Sequence, residues 1–345
     1  MQSAKTQKNL LSVLIFSVLF GLLFQYRILS YLKKLGFNAN PIGTKFPIHL
    51  DFSSTPIWLL PIYHTIDYLN TVWFTTLLGF LIAGAFITFF STFIQNNLKG
   101  NGIKEILFGT FLGVPNMFCT CCAASTTVGI RKAGAGLGPT LSFFVTAPTL
   151  NIVVILLSFN LLPFKFALAR LLLGIIASIG ITYLVTKISS EKCEINNEIN
   201  LKEKNQETVT SLLLLWLNNT WKVFIAVIPL LLLGIFLVGI LKTLYPMEVL
   251  KGALNKGFIS TLTAAIIGTI LMVPTFTEVI LVSELIKLGV PASPLIALLI
   301  TLPAVSLPSL MVLGKNLKSY KIAVLLGIFI TLLGIIGGLI ANIIF

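Results

Sequence analysis

Three thiols within four positions are the densest chemistry in this chain. Cys119, Cys121 and Cys122 follow Pro115 in the apolar stretch GVPNMFCTCCAASTTVGIRKAGAG. Cysteine is the soft ligand for thiophilic metals and metalloids. If helix resumes after the proline, Cys119 and Cys122 share one face at i, i+3. A plainer reading stands beside this one: small apolar side chains that let helices approach closely. Asn116 and Asn151 bracket the thiols with side-chain amides, and Ser306 stands in the second half at the position corresponding to Asn151. We take Cys119, Cys121, Cys122, Asn116, Asn151 and Ser306 as candidate substrate contacts.

Glu278 is the second chemical feature. It lies four positions after Pro274 in GTILMVPTFTEVILVSELIK. A carboxylate at membrane depth costs about 2.5–3.5 kcal/mol on insertion scales. A carboxyl group that takes up and gives up a proton there is what proton coupling requires, so Glu278 is the candidate coupling residue. The alternative is a structural hydrogen bond to backbone freed by the break. Arg170, near the start of an apolar run, is expected to snorkel to the interface. His64 and Asp67 read as solvated polar tips on a segment carrying Trp58, Tyr63 and Tyr68 near the headgroups.

The elements that must position these groups come in two sets. At a fixed offset of 155 positions, Gly113 aligns with Gly268, Met117 with Met272, Lys132 with Lys287, Gly134 with Gly289, Pro139 with Pro294, Thr146 with Thr301 and Pro148 with Pro303. These are turn and break residues, so matching them means matching geometry. Pro115 and Pro274 interrupt the first helix of each set, and Pro148 and Pro303 kink the next. An interrupted helix at membrane depth leaves backbone groups that need partners, which implies a polar cavity at the repeat interface. Whether 103–131 turns back or crosses decides between inverted and parallel repeats; the charge tally slightly favours a re-entrant hairpin.

Composition fixes the class. The chain of 345 residues is 56% hydrophobic and 10% charged, with a mean hydropathy of +0.99. That is an all-α polytopic membrane protein: two repeats of about four helical elements each, with broken or re-entrant helices, and an extra N-terminal helix over 9–26. Residues 1–70 form that helix and an interfacial connection, 71–187 the first repeat, 188–210 a hydrophilic linker and 211–345 the second repeat. The formal charge of +13 lies mostly between apolar runs, so it reads as topology signal and lipid contact, with no nucleic acid as partner. Cys193, in the charged linker, reads as incidental. No nucleotide-binding loop, dinucleotide fingerprint or HExxH pattern occurs, and we expect no cofactor, no metal site and no enzyme activity.

The residues Gly113, Pro115, Cys119, Cys121, Arg131, Lys132, Gly134, Ala147, Pro148 and Asn151, followed by Glu278, Gly289, Pro303, Ser306 and Pro308, resemble the ArsP/YraQ-type predicted permeases over roughly residues 70–345. The resemblance implies an inner-membrane permease whose relatives include exporters of trivalent organoarsenicals working against a proton gradient. The second half departs from the family pattern, with Pro274 and Phe276 where members often carry cysteines, and Ser125 stands where proline is common. The expected function is therefore a secondary transporter in the cell inner membrane, exporting a small, thiophilic, organoarsenical-like solute in exchange for protons. The alternative is a membrane-embedded thiol oxidoreductase carrying electrons across the bilayer. That machine needs thiols that can meet across the two halves, and the candidates here all lie in the first.

Overall fold

A computed structural model describes residues 14–26, 29, 56, 59–189, 209–244, 257–274 and 277–344. The described residues form helices and no strand. A short apolar helix α1 (Leu14–Tyr26) lays Phe16 against Phe86 and Phe90 of α2 (Leu60–Thr88). The expected first span begins at residue 9, so its first positions lie outside the described residues, as do Trp58, Thr275, Phe276 and most of the 188–210 linker.

The first half continues through α3 (Ser91–Asn97), α4 (Ile103–Gly113), α5 (Thr120–Lys132), α6 (Leu137–Thr149), α7 (Ile152–Leu161), α8 (Phe164–Ile175) and α9 (Thr182–Ile188). A wider π turn, Ile176–Ile181, joins α8 to α9, so Phe164–Ile188 runs as one helix of 25 residues. The second half holds α10 (Val209–Leu244), α11 (Phe258–Ile270), α12 (Thr277–Lys287), α13 (Ala292–Ala304), α14 (Leu307–Asn316) and α15 (Tyr320–Ile344). Among the described residues five helices are long and apolar enough to cross a membrane, or six if the bent α2 counts as one span. At 1.5 Å per residue, 25 residues exceed the roughly 30 Å hydrocarbon core.

The breaks follow from local chemistry. Pro115 has no N–H to continue the ladder, so α4 stops at Gly113 and the chain runs extended through Cys119 before helix resumes at Thr120. Both α5 and α12 end in a left-handed glycine, Gly134 (φ 106°) and Gly289 (φ 76°). Gly134 N–H bonds the Arg131 carbonyl at 3.0 Å and Gly289 N–H the Ile286 carbonyl at 3.0 Å. The following residues, Ala135 and Val290, donate to Ile130 and Leu285 at 3.3 and 3.1 Å. This is the six-to-one closure that satisfies the last carbonyls of a helix. α6 and α13 each carry a proline in their last turn, and helix restarts after Asn151 and Ser306. The starts of α4 and α11, of α6 and α13, and of α7 and α14 all lie 155 positions apart.

The core sits on α6 and α13, which pack on each other. Every residue of α6 is buried, and α13 is buried from Ser293 onward. The outer long helices leave apolar faces outward: Leu172, Ile176, Leu217, Trp221, Leu233, Ile336 and Ile343 are exposed, as a lipid-facing surface requires. Each half threads into the other. α5 packs on α14 as well as on its own α6, and α12 packs on α7 as well as on α13.

The expectation that His64 and Asp67 are solvated tips is corrected. α2 starts at Leu60 and is bent by 59° between Leu60–Asn70 and Val72–Thr88, so the segment is helical and meets the span at an angle near residue 71. Tyr68 is buried, and His64 and Asp67 are half-buried rather than solvated tips. Pro61 in the first turn is compatible with helix because that turn's N–H groups lack intrahelical acceptors anyway.

Candidate functional site

Cys119 is the N-cap of α5 in extended geometry, and Cys121 and Cys122 lie in its first turn. The turn folds the thiols together. Cys119 Sγ lies 2.9 Å from Cys122 Sγ and 3.6 Å from Cys121 Sγ. All three are buried and none is in a disulfide. The i, i+3 pairing expected of Cys119 and Cys122 is present. Helix α2 provides the surroundings: Tyr68 Oη meets Cys121 Sγ at 3.4 Å, and Cys122 Sγ donates to the Thr75 carbonyl at 3.3 Å. Among the described residues no group of three or more His, Cys, Asp and Glu side chains is arranged to hold a metal ion.

Asn116 and Asn151 each leave half of the side-chain amide unused. Asn116 Nδ2 donates to the Leu112 carbonyl at 2.5 Å, while Asn116 Oδ1 is buried with no protein partner. Asn151 Oδ1 accepts from Val154 N–H at 2.9 Å and caps α7, while Asn151 Nδ2 is buried with no protein partner. A buried polar group left unpaired costs about 1–3 kcal/mol. One acceptor and one donor are thus left without a protein partner. Ser306 caps α14 with Ser309: Ser306 N–H donates to Ser309 Oγ at 3.0 Å, and the two hydroxyls are 3.0 Å apart. Ser306 Oγ also reaches Thr120 Oγ1 at 3.4 Å, across the two halves.

Glu278 lies in the first turn of α12 and is 1% exposed. Its partner is not free backbone but Arg170, whose Nη2 lies 3.1 Å from Glu278 Oε1. This corrects the expectation that Arg170 snorkels, since its side chain is 2% exposed. The reason lies in α13. Pro303 has no N–H, so the Leu299 carbonyl four residues earlier loses its helical donor. Arg170 Nη1 donates to that carbonyl at 3.3 Å. One guanidinium therefore answers both the carboxylate and the proline break.

Among the described residues, hydrogen bonds and ion pairs join Glu278 to Arg170 and to none of the thiols. The sequence reading missed both Arg170 and Tyr68. Arg170 was legible in principle. It stands seven residues beyond Pro163, about two turns into an apolar helix, and the chain has a deep carboxylate in need of a partner. A small cavity of about 10 Å³, room for one water, lies between α2, α10 and the end of α11, lined by His64, Tyr68, Ile235, Val238, Gly239 and Met272.

Broken helices on a buried polar seam inside an apolar bundle suit passage through a membrane. A family model described as "Predicted permease", ArsP_1, matches residues 59–343, nearly all of both halves. The chain belongs to the ArsP_1 permease family. The UPF0718 protein YraQ of Escherichia coli strain K12 is 29% identical over 286 residues, covering 81% of this chain and 80% of the relative. The UPF0718 protein MJ0584 of Methanocaldococcus jannaschii is 25% identical over 347 residues, covering 80% of this chain and 94% of the relative. No solved structure matches. The chain is thus a multi-pass membrane permease, a transporter of a small molecule rather than an enzyme. Membership of this permease family sets aside the electron-carrying alternative.

Proposed function

We propose that this ArsP_1 permease is a secondary transporter, in the plasma (inner) membrane, that exports a small thiophilic solute in exchange for protons. Residues 71–187 and 211–345 act as two structural repeats. Their broken elements meet where α5 abuts the Ser306 turn. The matching glycine closures, matching caps and matching 155-position spacing support that reading.

The observation that carries the proposal is the thiol trio. Cys119 and Cys122 touch, Cys121 stands beside them, and the unpaired groups of Asn116 and Asn151 are buried in the elements that flank α5 and α6. A trivalent organoarsenical, R–As(OH)₂, fits this chemistry. Two thiols displace its two hydroxyls, form two As–S bonds and release two waters, with no change of oxidation state. Ser306 and Thr120 complete the wall from the other half. Glu278 carries the proton, and its discharge alters the link between α12 and α8.

The test uses purified protein in proteoliposomes with phenylarsine oxide and methylarsenite as probes under an imposed pH gradient. Cys119→Ser and Cys122→Ser are expected to lower flux at least tenfold, and Glu278→Gln to remove its dependence on the gradient. Cys193→Ser should behave as wild type. Unchanged flux in both thiol variants removes the cargo assignment; unchanged gradient dependence in Glu278→Gln removes the coupling assignment.

A further inference from the structure

Arg170 has work left over once its two contacts are counted. A guanidinium offers five N–H donors. One bonds Glu278 and one the Leu299 carbonyl, while Nε is buried with no protein partner. Resting on the coupling role given to Glu278 above, we propose that Arg170 is an anion site uncovered by protonation of Glu278, so that each proton taken up at Glu278 is accompanied by one small anion at Arg170.

Charge balance carries the argument. As an ion pair, Arg170 and Glu278 are neutral together. A proton on Glu278 leaves an unpaired guanidinium in a site 2% exposed, which the protein interior resists strongly. Among the described residues no neighbouring carboxylate can take over. The helices α6, α7 and α13, which pack around the pair, carry no charged residue at all. The other charged groups on the surrounding helices are Lys165 on α8, Lys187 on α9, Glu284 and Lys287 on α12, and Lys321 on α15. All of them are exposed, as are the hydroxyls of Tyr183 and Tyr320. Glu284 is already held by Lys287 at 2.8 Å. Among the described residues nothing supplies the compensating negative charge, which leaves that role to a bound anion.

The Leu299 carbonyl keeps the guanidinium in place during the exchange. Pro303 denies that carbonyl any other helical donor, so Arg170 stays tethered through Nη1 while Nη2 and Nε face the newcomer. A planar fork of this kind suits an oxyanion or a halide. The anion is either a group on the transported solute or a separate inorganic ion.

The experiment reads thermal unfolding of the purified full-length protein in detergent. Chloride or nitrate is titrated against gluconate at constant ionic strength. Glu278→Gln mimics the protonated carboxyl. At pH 8 this variant is expected to gain several degrees, saturably in the millimolar range, while wild type stays flat. The double variant Arg170→Gln/Glu278→Gln stays flat in both anions. Glu278→Ala, a second neutral replacement, should respond as Glu278→Gln does, and it decides the matter if Glu278→Gln does not fold. An anion response in the neutral Glu278 variants no larger than in the double variant, or a wild-type response equal to theirs, overturns the proposal.

The source of the anion is read in proteoliposomes. Export of phenylarsine oxide that needs chloride or nitrate assigns a separate ion. Export indifferent to them, with a carboxylated phenylarsonous acid preferred, assigns a group on the solute. Loss of gradient dependence in Glu278→Gln without any anion response would remove Arg170 as an anion site and leave the coupling role of Glu278 standing.

Discussion

The hydroxyls of Thr120 and Ser306 lie 3.4 Å apart, joining the first residue of α5 in one half to the cap of α14 in the other. Two helix starts therefore face each other, and the Ser306 side chain also serves its own helix. Helix N-termini present free N–H groups and partial positive charge. Their convergence gives this seam a polar character that its apolar surroundings lack.

Ser306→Ala is expected to lower stability by about 0.5–2 kcal/mol, the range for losing a capping hydroxyl. Thr120→Ala should cost less, since it removes one long hydroxyl contact. Melting of both variants in detergent checks the order. Equal losses would mean that the inter-half contact, not the cap, carries the effect.

Gly268 passes so close to Thr301 that a Cβ there would collide with the Thr301 hydroxyl, and a Cβ on Gly113 would sit 2.8 Å from the Thr146 Cβ. Gly268→Ala is expected to destabilise by about 1–3 kcal/mol, as overpacking of a filled interior does. Thr301→Ala removes the obstructing oxygen and should recover part of that loss in the double variant. Simple addition of the two single losses would show that the close approach is not the cause.

Tyr68→Phe deletes the hydroxyl that meets Cys121 and keeps the ring. A net loss of about 0.5–1.5 kcal/mol follows for one hydrogen bond, with phenylarsine oxide binding weakened a few fold. In a Cys121→Ala background the same change should have no further effect on binding. A double-mutant cycle with zero coupling energy would show that Tyr68 does not act through the thiol.

Much of this was legible from residue types. Hydropathy gave the helical class, and the proline positions gave the breaks near 115, 148, 274 and 303. The i, i+3 spacing of Cys119 and Cys122 led to their contact. What escaped were relationships between distant positions. Arg170 pairs with Glu278 at a separation of 108 residues and Tyr68 with Cys121 at 53. Local pattern carries no information about which helices become neighbours. Arg170 was judged by its nearness to a helix end, because snorkelling needs only local sequence. Its burial depends on a carbonyl that Pro303 frees 133 residues later. Asn151, a candidate contact by residue type, also caps a new helix. Its short amide competes for backbone N–H groups wherever a preceding proline has already loosened the ladder.

Because α5 leans on α14 while α12 leans on α7, the two halves are dovetailed rather than stacked. Neither can swing as a free lever. Tilting one would drag an arm of the other along, so the two are mechanically coupled through their packing. Cutting the 188–210 connector would leave the joint intact, for the grip lies in the interleaved arms and not in the strand of chain between them.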